Sequence, residues 1–115
     1  MNEEYHEHCA VVDWLLRQYP DTLMTIAPNG IKLTMMQAVR FKMMGYKAGT
    51  PDILIFEPRG KYHGLFVEMK REKKGVVSDK QKEFLQRAND RRYYSVVCNG
   101  FESAKNVIDS YFKLK

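Results

Sequence analysis

The stretch Gly49–Lys70, reading GTPDILIFEPRGKYHGLFVEMK, leaves this chain few folding options. Ile53–Phe56 and Leu65–Met69 are short apolar runs rich in strand formers, and Pro58 and Gly60 lie in the turn-forming segment between them. That is the pattern of a β-hairpin. With its turn centred near Gly60, residues whose numbers sum to about 120 face each other across the ladder. Asp52 then stands opposite Glu68. Side chains alternate along a strand, so Glu68 and Lys70 share a face and Met69 takes the other. Two carboxylates and one ammonium therefore converge at the open end of the hairpin, beside strands that read as buried.

Neighbouring buried carboxylates repel each other, and desolvation adds to the cost. A hard divalent cation removes it. Mg²⁺ is held by one or two carboxylates, with water and substrate phosphate completing its shell. The expected ligands are Asp52, Glu68 and the backbone carbonyl of Met69, with Mn²⁺ able to substitute for Mg²⁺. A protonated Lys70 is no metal ligand, but it suits negative charge developing on phosphorus or the positioning of an attacking water. The set fits metal-assisted phosphodiester hydrolysis.

Pro51-Asp52, fifteen intervening residues, then Glu68-Met69-Lys70 resembles the PD-(D/E)xK nuclease signature. The wider context, Gly49-Thr50-Pro51-Asp52, then Tyr62 through Lys70 (YHGLFVEMK), then Ser78-Asp79-Lys80-Gln81, resembles the virus-type replication-repair nucleases, the VRR-NUC family. The resemblance covers nearly the whole chain. It implies a restriction-endonuclease-like core and DNA hydrolysis, with a glutamate of the first helix completing the metal site. Glu4 and Glu7 sit one turn apart and share a helical face. The family pattern has glutamine four residues after that glutamate, and here His8 lies four after Glu4. This register selects Glu4, with Glu7 as the alternative. Ser78-x-x-Gln81 is a capping box with a full structural explanation. The resemblance adds that Gln81 lies near the metal and holds water or phosphate.

The 115 residues make one domain. Nineteen basic residues against fourteen acidic ones give a formal charge of +5, which favours a nucleic-acid partner. No helix-turn-helix or zinc-finger pattern is present, so DNA shape and backbone are the expected readout. Cys9 and Cys98 have no metal-ligand spacing and read as buried free thiols, with a disulfide as the alternative. His6, His8 and His63 read as surface histidines. No apolar run approaches membrane-spanning length, and MNEEYHEHC is no leader. With the resemblance, this gives a cytoplasmic protein of a bacterial cell, encoded by the host, a phage or a prophage.

In chain order, periodicity and caps predict a helix over Glu3–Gln18, a strand over Asp21–Ala27 and a turn at Pro28-Asn29-Gly30 whose Asn29 could approach DNA. A helix from Thr34 to near Gly45, the hairpin, and a charged loop from Arg71 to Gly75 (Lys73 and Lys74 included) beside the site come next. A helix from Ser78 to Arg91, a strand over Tyr93–Cys98 and a helix over Phe101–Lys113 close the chain. This is an α/β sandwich around a mixed four-stranded sheet. The second helix carries more apolar residues than one core face needs, so it is either sandwiched in the core or meets another subunit. The resemblance favours a homodimer that cuts branched DNA such as a four-way junction, with Met36, Val39, Phe41 or Met43 at the contact.

Overall fold

In the computed structural model, which describes residues 3–73 and 75–115, eight elements follow one another. They are α1 (Glu3–Gln18), β1 (Met24–Ile26), α2 (Met35–Met43), β2 (Ile53–Ile55), β3 (Gly64–Lys70), α3 (Asp79–Asp90), β4 (Tyr93–Asn99) and α4 (Phe101–Phe112). Lys74, in the charged loop, lies outside the described residues. The first strand is shorter than expected, because only Met24–Ile26 find partners on β2.

The sheet order is β1-β2-β3-β4. β1 and β2 are antiparallel, as are β2 and β3, and β4 joins β3 in parallel through the α3 crossover. Ile53 pairs with Val67 and Ile55 with Leu65, so the numbers across the hairpin sum to 120 as the turn chemistry predicts. Extending that ladder one step brings Asp52 level with Glu68.

Alternation sorts the two faces. Ile53, Ile55, Leu65, Val67 and Met69 join Val11 and Leu15 of α1 and Ile108 and Tyr111 of α4 in one buried cluster. Phe66, Glu68 and Lys70 point to the opposite face, where α3 covers β4. The α/β sandwich and mixed sheet are those expected.

Three expectations change. α2 has no buried residue and, among the described residues, packs against no other helix or strand, so it is not sandwiched in the core. Met35, Met43 and Met44 are each more than 80% exposed (85%, 84% and 82%). Phe41 turns inward instead, edge-on to Tyr46. Cys9 is exposed rather than buried, and neither cysteine is bonded. His8 is half-buried, unlike the exposed His6 and His63.

Candidate active site

Three segments build the site. The first is the approach to β2. Gly49 has φ +92°, and a Cβ there would lie 2.4 Å from the Lys80 carbonyl oxygen. Only glycine allows the loop to press on the start of α3. Pro51 follows, fully buried, and Asp52 is 8% exposed. The Met69 N–H donates to Asp52 Oδ2 at 2.7 Å, and Asn29 Nδ2 donates to Asp52 Oδ1 at 2.9 Å. A strand residue directs its N–H and C=O to the same side, so the Met69 carbonyl also faces the Asp52 side.

The second segment is the end of β3. Glu68 is 2% exposed, and its Oε1 receives no hydrogen bond from any described residue. Lys70 Nζ stands 3.9 Å from Glu68 Oε2, with its side chain 13% exposed. Burial first, and then the adjacent Asp52, push the Glu68 carboxyl up to about 9, and Lys70 offsets this only in part. Two carboxyl groups this close and this buried cannot both ionise cheaply with Lys70 as their nearby cation.

The third segment is the start of α3. The Gln81 amide does two jobs. Its Oε1 accepts from the Ser78 N–H at 2.8 Å and closes the capping box, while its Nε2 donates to Glu68 Oε2 at 3.1 Å. The cap thus fixes which end of the amide meets the carboxylate.

The structure brings together Asp52, Glu68, Met69, Lys70 and Gln81. Glu4 stands further off, without a hydrogen bond or ion pair to a described residue, although its charge is among those that raise Glu68. Among the described residues no three His, Cys, Asp or Glu side chains gather closely enough to form a metal cluster. Glu7 is engaged elsewhere. α4 starts at Gly100, which has no side chain to cap it, and Glu7 Oε2 accepts from the Phe101 N–H at 2.8 Å. A carboxylate there meets both the free N–H and the positive end of the helix. Glu7→Ala should therefore lower stability by about 1 kcal/mol, read by urea denaturation, and leave cleavage per folded molecule unchanged. Lost turnover at full stability would reverse that assignment.

Sequence reasoning missed three residues. Asn29 is turned onto Asp52 and the Thr50 carbonyl rather than toward solvent. Tyr46 donates its hydroxyl to Asn29 Oδ1, and burial together with Asp52 and Glu68 keeps that phenol protonated above its usual range. His8 is held below the usual imidazole range by burial, with Asp52 pulling the other way. The one advance signal was the position of His8, four residues after Glu4.

A family model described as the VRR-NUC domain matches residues 1–102. A solved structure described as a VRR_NUC domain protein superposes with a TM-score of 0.85 at 31% identity, over 99% of this chain and 91% of that one. Among curated proteins none matches.

Proposed function

Because this chain belongs to the VRR-NUC family of nuclease domains, we propose that it is a divalent-metal-dependent, structure-selective DNA endonuclease of the Holliday-junction-resolvase kind. It would act as a homodimer in the bacterial cytoplasm. One observation carries the chemistry. Two buried carboxylates lie side by side, one with an oxygen that no described residue satisfies. An oxygen-only site of this charge fits Mg²⁺ or Mn²⁺. Asp52, Glu68 and the Met69 carbonyl would hold the ion, and Glu4, whose charge reaches Glu68, would contribute through water. When bound, such an ion polarises the scissile phosphate and lowers the pKa of a water.

The chain's own residues do the rest. Asn29 and the Met69 N–H fix both oxygens of Asp52. Gln81 fixes one oxygen of Glu68, and the other, without a hydrogen bond from a described residue, would be available to an ion. Lys70 presents its ammonium to the charge that grows on the phosphate oxygens.

The test is cleavage of a panel of four-way junctions, flaps, nicked and linear duplexes in Mg²⁺ or Mn²⁺. Preference for branched substrates supports the reading, and failure to cut any of them rejects it.

The raised Glu68 also makes a pH prediction for the metal-free protein. The folded state binds this proton more tightly than the unfolded chain, whose glutamate titrates near 4.5, so stability falls as pH rises through the interval up to about 9. His8 is shifted downward and acts only at lower pH. Between pH 7 and pH 9, the melting temperature in a chelator should fall and the gain on adding Mn²⁺ should grow, because binding displaces the proton. A metal gain independent of pH over that window would show that Glu68 is not the ligand.

The dimer is supported by α2, an apolar helix that its own chain leaves uncovered. Its isologous pairing through Met36, Val39 and Met43 would set two sites at one fixed separation, with Phe41 bracing the helix from inside. Light scattering at micromolar concentration should give a dimer. Val39→Glu with Met43→Glu should give a folded monomer that nicks DNA but no longer makes paired cuts. A monomeric wild type refutes the assembly.

A further inference from the structure

On the same face of the sheet as the acidic pair, between α3 and the segment after α2, lies a cleft of about 590 Å³. That is within the usual size of a small-ligand site. Lys42, Lys47, Lys80, Arg87 and Arg91 line it against a single carboxylate, Glu83, a charge balance that favours an anion. Its walls are also aromatic, with Tyr46, Phe84 and Tyr93 over Phe66. Phe66 and Tyr93 already stack on each other, at 4.7 Å and 16°. Phe84 makes no ring contact with another described aromatic residue.

The cleft is continuous with the candidate catalytic centre. Phe66 lies two residues before Glu68 on one strand face, about 7 Å away along β3. Lys80 precedes Gln81, which holds Glu68. Tyr46 anchors Asn29, which holds Asp52. A nucleotide joins an anionic part to a flat apolar one, and it would lie within about one nucleotide length of the carboxylates. A base can enter a concave aromatic site only when it is unpaired, since duplex bases are stacked inside the helix.

We propose that this cleft receives one unpaired nucleotide of the substrate strand beside the cleavage point, its base on the Phe84 ring and its phosphates among Lys80, Arg87 and Arg91. The inference rests on the nuclease reading and deepens it. The enzyme recognises a branch point by the nucleotide freed there, as well as by the path of the backbone.

The experiment measures binding without cleavage. Fluorescence anisotropy in a chelator compares a duplex with the same duplex bearing a short single-stranded arm, and with an arm made of abasic sites. Wild type should prefer the arm about tenfold, the scale of one base–aromatic stack, and the abasic arm should lose that preference. Phe84→Ala should abolish it with duplex affinity retained, and Phe84→Tyr should keep it. Should Phe84→Ala fail to fold, Arg87→Gln on the exposed side of α3 should still reduce it severalfold. Equal affinity for all three DNAs, or an equal loss for duplex and arm in the variants, overturns the inference. So does Arg87→Gln turning a dimer into a monomer while arm binding stays unchanged, because a second copy would then fill the cleft. Cleavage in Mg²⁺ is scored separately, so arm preference without cleavage counts against the nuclease reading and supports this one.

Discussion

Asp52→Asn and Glu68→Gln should each reduce DNA cleavage by about 10³-fold or more, while the protein stays folded and keeps much of its DNA affinity. The two variants differ in cause. Asp52 accepts from two separate donors, the Met69 N–H and Asn29 Nδ2. An asparagine offers one oxygen and one NH₂, so one donor must lose its acceptor and the local geometry loosens. Glu68→Gln is gentler, because Glu68 without metal already holds a proton in neutral solution and glutamine mimics that neutral state. Its loss of activity should come with unchanged or higher metal-free stability, and with a melting temperature that no longer falls between pH 7 and pH 9. Cleavage by either variant at the wild-type rate would remove both residues from the site.

Lys70→Ala should lower turnover by about 10²–10³-fold, the usual cost of removing one preorganised charge from a transition state. Its side chain is nearly buried, and its nitrogen stands 3.9 Å from Glu68 Oε2, longer than a good hydrogen bond. It is therefore placed as a charge rather than as a strut. Calorimetry with Mg²⁺ at neutral pH should still show binding, weakened only by the Glu68 proton that Lys70 no longer helps to expel. If metal affinity collapsed there while turnover per bound metal stayed normal, Lys70 would be a site-assembly residue and not a participant in the chemical step.

The hairpin register and the Asp52–Glu68 opposition were legible because alternation and turn residues are local signals. The capping boxes Thr34-x-x-Gln37 and Ser78-x-x-Gln81 were legible for the same reason, and both form. What local signals miss is who meets whom across the chain. Asn29 reaches Asp52 over twenty-three positions and Tyr46 over seventeen, and nothing in a Pro-Asn-Gly turn announces it. Glu7 remained an alternative to Glu4 in the sequence, because its partner, the uncapped start of α4 at Gly100, lies more than ninety positions away. The apolar excess of α2 was visible, but an apolar helix reads alike whether its own core or another molecule covers it.

β3 is an inner strand, with β2 paired on one side and β4 on the other. The β2 side is a local hairpin, but the β4 side closes only after α3 has crossed over. On the ribosome, the strand with Asp52 and the strand with Glu68 and Lys70 emerge before Gln81, and well before the Tyr93–Asn99 ladder. Until those later residues arrive, the carboxylates stand in water without the amide that orients Glu68 or the neighbouring strand that buries it. A nascent chain cut short before β4 therefore carries every charged residue of the motif on a hairpin too small to hold them still. On the proposed reading, hydrolysis is expected only once nearly the entire domain has been made.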